Sequence, residues 1–278
     1  MTSASVAHPA TNRVAALLTA AHIGPGLAVT VVVGVLAATR DVPPLTTALL
    51  VTAVFTGQLT VGWGNDLADV ARDRAVGRSD KPIATGALPA RLVTTWLWVA
   101  GLACVALSVA AGWRCGLLHL ALGVGPAHAY NLWFKATALS WLPYAVAFGA
   151  LPVVVFQAGP TPSGAPWWMV GAAAGLGVAA HLLNAVPDLA DDVATGVRGL
   201  PHRLGAGPAR LVATLFLTAA SAASVLGPPG RPAAWAWGVL GLVLLLAALA
   251  LGGRGRAPFR AAIAIALLDV VLLALASR

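Results

Sequence analysis

Nine stretches of this chain are each long and apolar enough to span a bilayer, and that pattern constrains the fold more than any other feature. They cover residues 14–38, 45–64, 90–112, 115–133, 139–157, 167–185, 209–226, 233–251 and 258–276. A bilayer core takes roughly 20 apolar residues of helix. Inside it every backbone N–H and C=O must be satisfied within the chain, so runs of this kind become helices. Only 9% of the residues are charged and the mean hydropathy is +0.86, where a soluble domain carries about 25% charged residues. Charged or Pro- and Gly-rich breaks separate most runs, as at Arg40-Asp41-Val42-Pro43-Pro44 and Gly227-Pro228-Pro229-Gly230-Arg231-Pro232. The break at Gly112-Trp113-Arg114 is the tightest, and it leaves the third and fourth runs as a close hairpin or as one merged element. The first run is too long for the apolar region of a cleavable signal peptide, and more runs follow it. The expectation is an all-α polytopic membrane protein, a bundle of nine transmembrane helices, with residues 1–278 as a single domain and 1–13 as a short N-terminal tail.

Nine crossings put the termini on opposite sides of the membrane. The N-terminal side then carries Arg13, Arg72, Arg74, Arg78, Lys81, Arg91, Lys135, Arg198, Arg203, Arg210, Arg254, Arg256 and Arg260. The other side carries only Arg40, Arg114, Arg231 and Arg278. Positive charge accumulates on the cytoplasmic side of membrane proteins, so the N-terminus is expected there. The same asymmetry accounts for the net charge of +8 without any nucleic-acid partner. The two cysteines, Cys104 and Cys115, show no metal-ligand spacing and read as small apolar residues within spans.

The acids are fewer and more concentrated. The chain has no Glu, and seven of its nine Asp lie in two stretches, Asp66, Asp69, Asp73 and Asp80, then Asp188, Asp191 and Asp192. The first stretch follows the second run as Asn65-Asp66-Leu67-Ala68-Asp69-Val70-Ala71-Arg72-Asp73. If the helix continues through it, Asp66, Asp69 and Asp73 share one face. The second follows the sixth run as Asn184-Ala185-Val186-Pro187-Asp188-Leu189-Ala190-Asp191-Asp192, where Asn184, Asp188 and Asp192 recur every four residues. Asp-Leu-Ala-Asp occurs in both, at 66–69 and 188–191. Each stretch follows the second helix of a possible four-helix unit, as an internal duplication would arrange. Acids at a helix end are often solvated loop charges, and Asp80 and Asp191 read that way individually. Two repeated clusters in a chain with almost no other acid argue for a shared task. Stacked carboxylates repel, and at the centre of a membrane helix an Asp costs ~2.5–3.5 kcal/mol. Mg²⁺ is a fitting compensator, because it binds one or two carboxylates and completes its shell with water and phosphate oxygens. Two facing clusters of this kind would clamp a diphosphate, with Arg72, Arg78, Lys81, Lys135, Arg198 and Arg203 at hand.

At these residues the chain resembles the UbiA superfamily of intramembrane prenyltransferases, whose signature pairs Asn-Asp-x-x-Asp-x-x-x-Asp with Asp-x-x-x-Asp. The matching positions are Asn65, Asp66, Asp69 and Asp73, then Asp188 and Asp192. The flanks Lys81-Pro82-Ile83-Ala84-Thr85-Gly86, Tyr130-Asn131-Leu132-Trp133-Phe134-Lys135 and 195–205 are similar to the family as well. Lys81 stands where many members have Arg, which keeps the charge and loses the fork, and the first run lacks an initial Arg-Pro pair. The resemblance implies a central cavity open to lipid and capped by cytoplasmic loops. It implies Mg²⁺ on Asp66, Asp69, Asp188 and Asp192, with Asp73 as a further ligand and Asn65 beside the diphosphate. The four first-named aspartates would be the catalytic set. The donor would be an isoprenyl diphosphate, and the acceptor a lipophilic molecule, aromatic or a quinone precursor. An allylic cation needs a dry site, and Trp63, Tyr130, Trp133, Phe134, Trp141 or Phe148 would face it. Each of these aromatics is equally suited to anchoring at the interface.

Among polar residues inside the runs, His181 shares a face with Asn184 and Asp188, and Gln58 lies on the side of the first stretch. With Tyr130 and Asn131 these are the candidate cavity residues. His119 and His128 lie on the same run as Asn131. For each, an interhelical hydrogen bond is the plainer reading. Asp269 lies deep in the last run, with no partner that the sequence names. Two other functions use similar ingredients. One is cyclisation of the prenyl cation onto its own chain. The other is ion or lipid transport, which sets acids nearer mid-membrane than these helix-end clusters.

Overall fold

The computed structural model describes residues 12–276 other than Arg256. Most of the 1–13 tail, Arg256 and Arg278 therefore lie outside the described residues. The described residues are helical and contain no strand. In order they form α1 (Arg13–Ala20), α2 (Ile23–Thr39), α3 (Pro44–Ala75), α4 (Ala90–Ala111) and α5 (Trp113–Leu118). Two π-helical turns, His119–Val124 and Tyr130–Phe134, flank α6 (Gly125–Ala129). Then come α7 (Leu142–Ala158), α8 (Trp167–Ala185), a 3₁₀ turn at Val186–Asp188 and α9 (Leu189–Ala194). The chain closes with α10 (Leu200–Leu204), α11 (Ala206–Leu226), α12 (Ala234–Gly252) and α13 (Ala257–Ala276).

Each of the nine apolar runs is helical, though not every one is a single long helix. Among the described residues five helices are long and apolar enough to cross a membrane, or six if the bent pair α1–α2 is one span. The run 14–38 is bent within its length. α1 and α2 meet at 66°, because His22 leaves the helix in a left-handed conformation at φ 51°. Pro25 explains the restart, since a proline belongs in a helix's first turn and would clash with the carbonyl four residues back in a continuous one. At the third break the hairpin is the outcome. Gly112 takes φ 147°, open only to glycine, and Ser108 Oγ lies 2.9 Å from His119 Nδ1 across the two arms.

α3 has 32 residues, about 48 Å at 1.5 Å per residue, against roughly 30 Å of hydrocarbon. The helix is thus longer than one bilayer thickness, and Asp66, Asp69 and Asp73 lie in its last turns. α3 packs on α4, α7 on α8, α8 on α11 and α11 on α12, and α13 packs on α12 and returns to α2. The bundle thus closes on itself. One apolar cluster joins Val33, Leu36, Leu50 and Val54 to Val154, Val155 and Phe156. A second joins Leu182, Leu183, Leu217, Val243 and Ile265. The third sets Ala16, Ala20 and Trp63 against Ile83, Leu88 and Val93, beside the first Asp stretch. The α1–α2 elbow is seated there by Trp63, whose indole N–H donates to the Leu17 carbonyl at 3.0 Å. Gly62 is part of that seat, because a Cβ would run into the Ala21 carbonyl. Large apolar side chains such as Trp98, Leu102, Val109, Leu244, Leu245 and Leu249 face outward, as on a chain whose solvent is lipid.

Candidate active site

α3 runs unbroken through the first Asp stretch, so Asp66, Asp69 and Asp73 do share a face. Asp66 is 1% exposed. Its Oδ1 accepts from Lys81 Nζ at 2.6 Å and lies 2.8 Å from His22 Nε2. Lys81 Nζ is itself 3.0 Å from that nitrogen. The other oxygen, Asp66 Oδ2, is buried and has no hydrogen-bond partner among the described residues. Asp69, also buried, pairs with Arg72 one turn on and with Lys135 from the end of the fourth run. Buried carboxylates are tolerable only when paired, and both have cations in contact. Burial, with Arg72 adding to it, pushes Lys135 down to about 8.

The second stretch departs from its expected geometry. Pro187 has no N–H to give α8, and the helix tightens to a 3₁₀ turn before restarting as α9. The four-residue repeat of Asn184, Asp188 and Asp192 is therefore broken, and Asn184 is exposed. Asp188 is nonetheless joined to the first half of the chain. Arg78 grips Asp80 with two nitrogens at 2.9 and 3.0 Å and reaches Asp188 Oδ1 with the third at 3.4 Å. That grip holds the Asp80 carboxyl down at about 2 and raises Arg78 further above its usual range. Asp192 lies 3.1 Å from His202 Nε2.

Between the two stretches is a pocket of about 20 Å³ lined by Asp69, Arg72, Asp73, Val76, Arg78, Lys135, Asp191, Asp192 and Thr195. Both stretches and three of the expected cations meet there. Asp191, which reads as a loop charge in the sequence, stands on its wall. Arg198 and Arg203 are not on that wall. Both are exposed, and Arg203 Nε donates to the Arg198 carbonyl at 3.1 Å. Asn65 is half-buried beside Asp66.

The interior polar residues divide in two. Asn131 Nδ2 donates to the Val61 carbonyl at 3.0 Å, and His128 Nε2 is 3.1 Å from Thr60 Oγ1. These are interhelical hydrogen bonds, as is the Ser108–His119 pair. Gln58 is half-buried against Gly26 of α2. His181 Nε2 likewise lies 2.9 Å from Ser140 Oγ, and with Tyr130 and Phe148 it belongs to an aromatic group of which only Tyr144 went unnamed in the sequence. The chain's two tyrosines, Tyr130 and Tyr144, stand edge to face with centroids 5.0 Å apart. His181 lies 5.4 Å from the first and 4.8 Å from the second, and Phe148 stacks on Tyr144 at 6.3 Å. Trp133 points outward and Trp141 packs against the second apolar cluster. His22 and Tyr144 are the residues missed in the sequence. The only local signs of His22 are the Gly24-Pro25-Gly26 restart after it and its position inside an apolar run.

Among the described residues no three His, Cys, Asp or Glu side chains form a ready cluster for one ion. Mg²⁺ asks for less, since one or two carboxylates, water and phosphate oxygens complete its shell. The unpartnered Asp66 Oδ2 and the four carboxylates on the pocket wall are hard oxygen donors of that kind. The donor set fits.

A family model, that of the UbiA prenyltransferase family, matches residues 27–272. No curated protein matches the chain by sequence. Among solved structures, an apo UbiA homolog from Aeropyrum pernix K1 is 20% identical with a TM-score of 0.72, covering 90% of this chain and 97% of its own. A UbiA homolog from Archaeoglobus fulgidus bound to GPP and Mg²⁺ is 14% identical at TM-score 0.68, covering 93% and 99%. A digeranylgeranylglyceryl phosphate synthase is 14% identical at TM-score 0.64, covering 96% and 98%. These likenesses establish the shared fold.

Proposed function

The chain belongs to the UbiA prenyltransferase family, and on that premise we propose that it moves an isoprenyl group from its diphosphate to a lipophilic acceptor in a Mg²⁺-dependent reaction. It is a multi-pass membrane prenyltransferase. The finer reading is an aromatic or quinone-precursor acceptor and an active site at the cytoplasmic face. One observation supports the diphosphate chemistry, while the membrane side rests on the charge asymmetry of the loops and the acceptor class on the family resemblance. Aspartates from two stretches more than a hundred residues apart line a single pocket with Arg72, Arg78 and Lys135, and Arg78 bridges the stretches through Asp188.

In this reading Asp66, Asp69, Asp73, Asp188 and Asp192 hold Mg²⁺. A metal held there would supply positive charge to the diphosphate oxygens on which negative charge gathers as the C–O bond breaks. Arg72, Arg78, Lys81 and Lys135 donate to the same oxygens, with Asn65 beside them, while Arg198 and Arg203 act from the cap loop. Donors fixed before the charge develops need no reorganisation when it does. The faces of Tyr130, Tyr144 and Phe148 receive the allylic cation, and their packing keeps water from it. The acceptor then attacks the cation and gives up a proton. The homolog bound to GPP and Mg²⁺ supports an allylic diphosphate as donor.

The test uses purified protein in lipid with labelled geranyl, farnesyl and geranylgeranyl diphosphates, a panel of acceptors, and Mg²⁺ or EDTA. Diphosphate release should require Mg²⁺ and fall about a thousandfold in Asp66→Ala and Asp188→Ala. Alkylated acceptor among the lipid products would establish transfer, whereas a cyclised hydrocarbon would redirect the reading to cyclisation. Folded protein that neither binds nor cleaves any of these donors would overturn it.

A further inference from the structure

Ser140 lies in the turn before α7 and is wholly buried, at 0% exposure. Its Oγ accepts the Leu200 N–H at 2.9 Å, from the first residue of α10. The same oxygen is 2.9 Å from His181 Nε2 on α8. The hydroxyl hydrogen has no other acceptor among the described residues, so the network assigns it to Nε2. The neutral imidazole then carries its own hydrogen on Nδ1. One side chain thus ties the cap loop, residues 195–205, to the aromatic group.

The loop is seated closely. At Gly199 a Cβ would lie 2.6 Å from the Lys135 carbonyl and 2.9 Å from Ser140 Oγ, so only a glycine passes there. With the loop in this position, His202 reaches Asp192 while Leu200 holds Ser140. His181 is 2% exposed and packed against Tyr130 and Tyr144.

We propose that Ser140 is a positioning residue, which seats the cap loop over the cation site and holds His181 there as an uncharged ring. This rests on the prenyl-transfer reading. An allylic cation is attracted to π faces and repelled by an imidazolium. A hydroxyl donating to Nε2 occupies the lone pair on which an imidazolium would form. The seated loop also closes the site to water, which would otherwise take the cation as prenyl alcohol. Ser140 touches neither reactant and acts through His181 and Leu200.

Three measurements on Ser140→Ala and Gly199→Ala test this. Hydrogen exchange of amides 195–205 should quicken in both variants. With geranyl diphosphate and Mg²⁺ alone, release of geraniol should rise about tenfold, the scale of one lost hydrogen bond. With an acceptor that the wild type uses, the ratio of transfer product to geraniol should fall about tenfold, at a donor KM within about twofold of the wild type. Wild-type exchange in 195–205 together with a wild-type product ratio would overturn the proposal. So would a lowered melting temperature with all products reduced in proportion, since a merely structural residue does not shift the partition. A wild type that ionises no donor would overturn prenyl transfer and the cage role with it, while the exchange data would still decide whether Ser140 seats the loop.

Discussion

Lys81 offers the sharpest perturbation, because its partner is almost wholly buried. Its ammonium sits 2.6 Å from Asp66 Oδ1, and Asp66 is 1% exposed. Removing one member of a buried ion pair typically costs 3–5 kcal/mol, since the remaining charge is stranded. His22 still reaches the same oxygen at 2.8 Å, which moves the expectation for Lys81→Met down to about 2–3 kcal/mol. For a chain of this size that is a loss of about 5–10 °C in melting temperature. Mg²⁺ should restore much of it, because the metal competes with Lys81 for Asp66 and replaces its charge. A ligand at a hundred times its Kd contributes about 2.7 kcal/mol to a folded state that alone binds it. The assay is thermal unfolding in detergent with EDTA or saturating Mg²⁺, for wild type, Lys81→Met and Lys81→Arg. Lys81→Met should gain more from Mg²⁺ than the wild type, and Lys81→Arg should lie between. A Lys81→Met melting within about 1 °C of wild type in EDTA, or gaining no more from Mg²⁺, would refute the reasoning.

Three further expectations rest on single contacts. Arg78→Lys keeps the charge and loses the fork on Asp80 and the reach to Asp188, so donor KM should rise about tenfold in steady-state assays. Gly62→Ala drives a Cβ into the Ala21 carbonyl and should cost about 1–3 kcal/mol or more by thermal unfolding, because backbone gives way poorly. The Asp80 carboxyl is held at about 2 by Arg78, below the unfolded value near 3.9. A depressed pKa contributes stability above the unfolded value and loses it as pH falls through the folded one. Asp80 is half exposed, at 51%, and solvent screening limits the gain to under about 1 kcal/mol. Melting temperatures of wild type and Asp80→Asn should therefore differ slightly at pH 6 and converge between pH 4 and 2.

The parts legible in the sequence were those with local periodicity. Asp66, Asp69 and Asp73 share a face because α3 continues past its apolar part, and the i, i+3, i+7 spacing says as much. The second stretch looks equally regular on paper, yet a 3₁₀ turn at Pro187 interrupts it, and Asn184 is exposed. His22 meets Asp66 across 44 residues, and Ser140 meets Leu200 across 60. Such contacts depend on how helices are stacked, which no local pattern records. Arg198 and Arg203 lie off the pocket wall in the structure. They follow Asp192 closely, but their side chains stand in solvent.

The charge balance around the pocket explains why a site of this kind sits in so apolar a chain. Seven aspartates gather in the two stretches, and among the described residues the Lys and Arg in direct contact with them are Arg72, Arg78, Lys81 and Lys135. If all are ionised, the cluster is three charges acidic before histidine is counted. A basic cluster would hold a diphosphate without metal and hold it after cleavage too. A fully acidic one would repel it. An acidic excess threaded with fixed cations favours divalent metal and diphosphate together, each reducing the cost of the other. The same argument accounts for the burial of Asp66 and Asp69. Low dielectric strengthens their hold on a cation, and Lys81, His22, Arg72 and Lys135 keep that burial from unfolding the helix ends. Replacing Asp69 by Asn should therefore weaken Mg²⁺ binding about tenfold or more while leaving Lys135 and Arg72 as a surplus of positive charge. Isothermal titration would show the variant binding inorganic diphosphate less dependently on Mg²⁺ than wild type does. Equal Mg²⁺ dependence in the two proteins would contradict this account of the site.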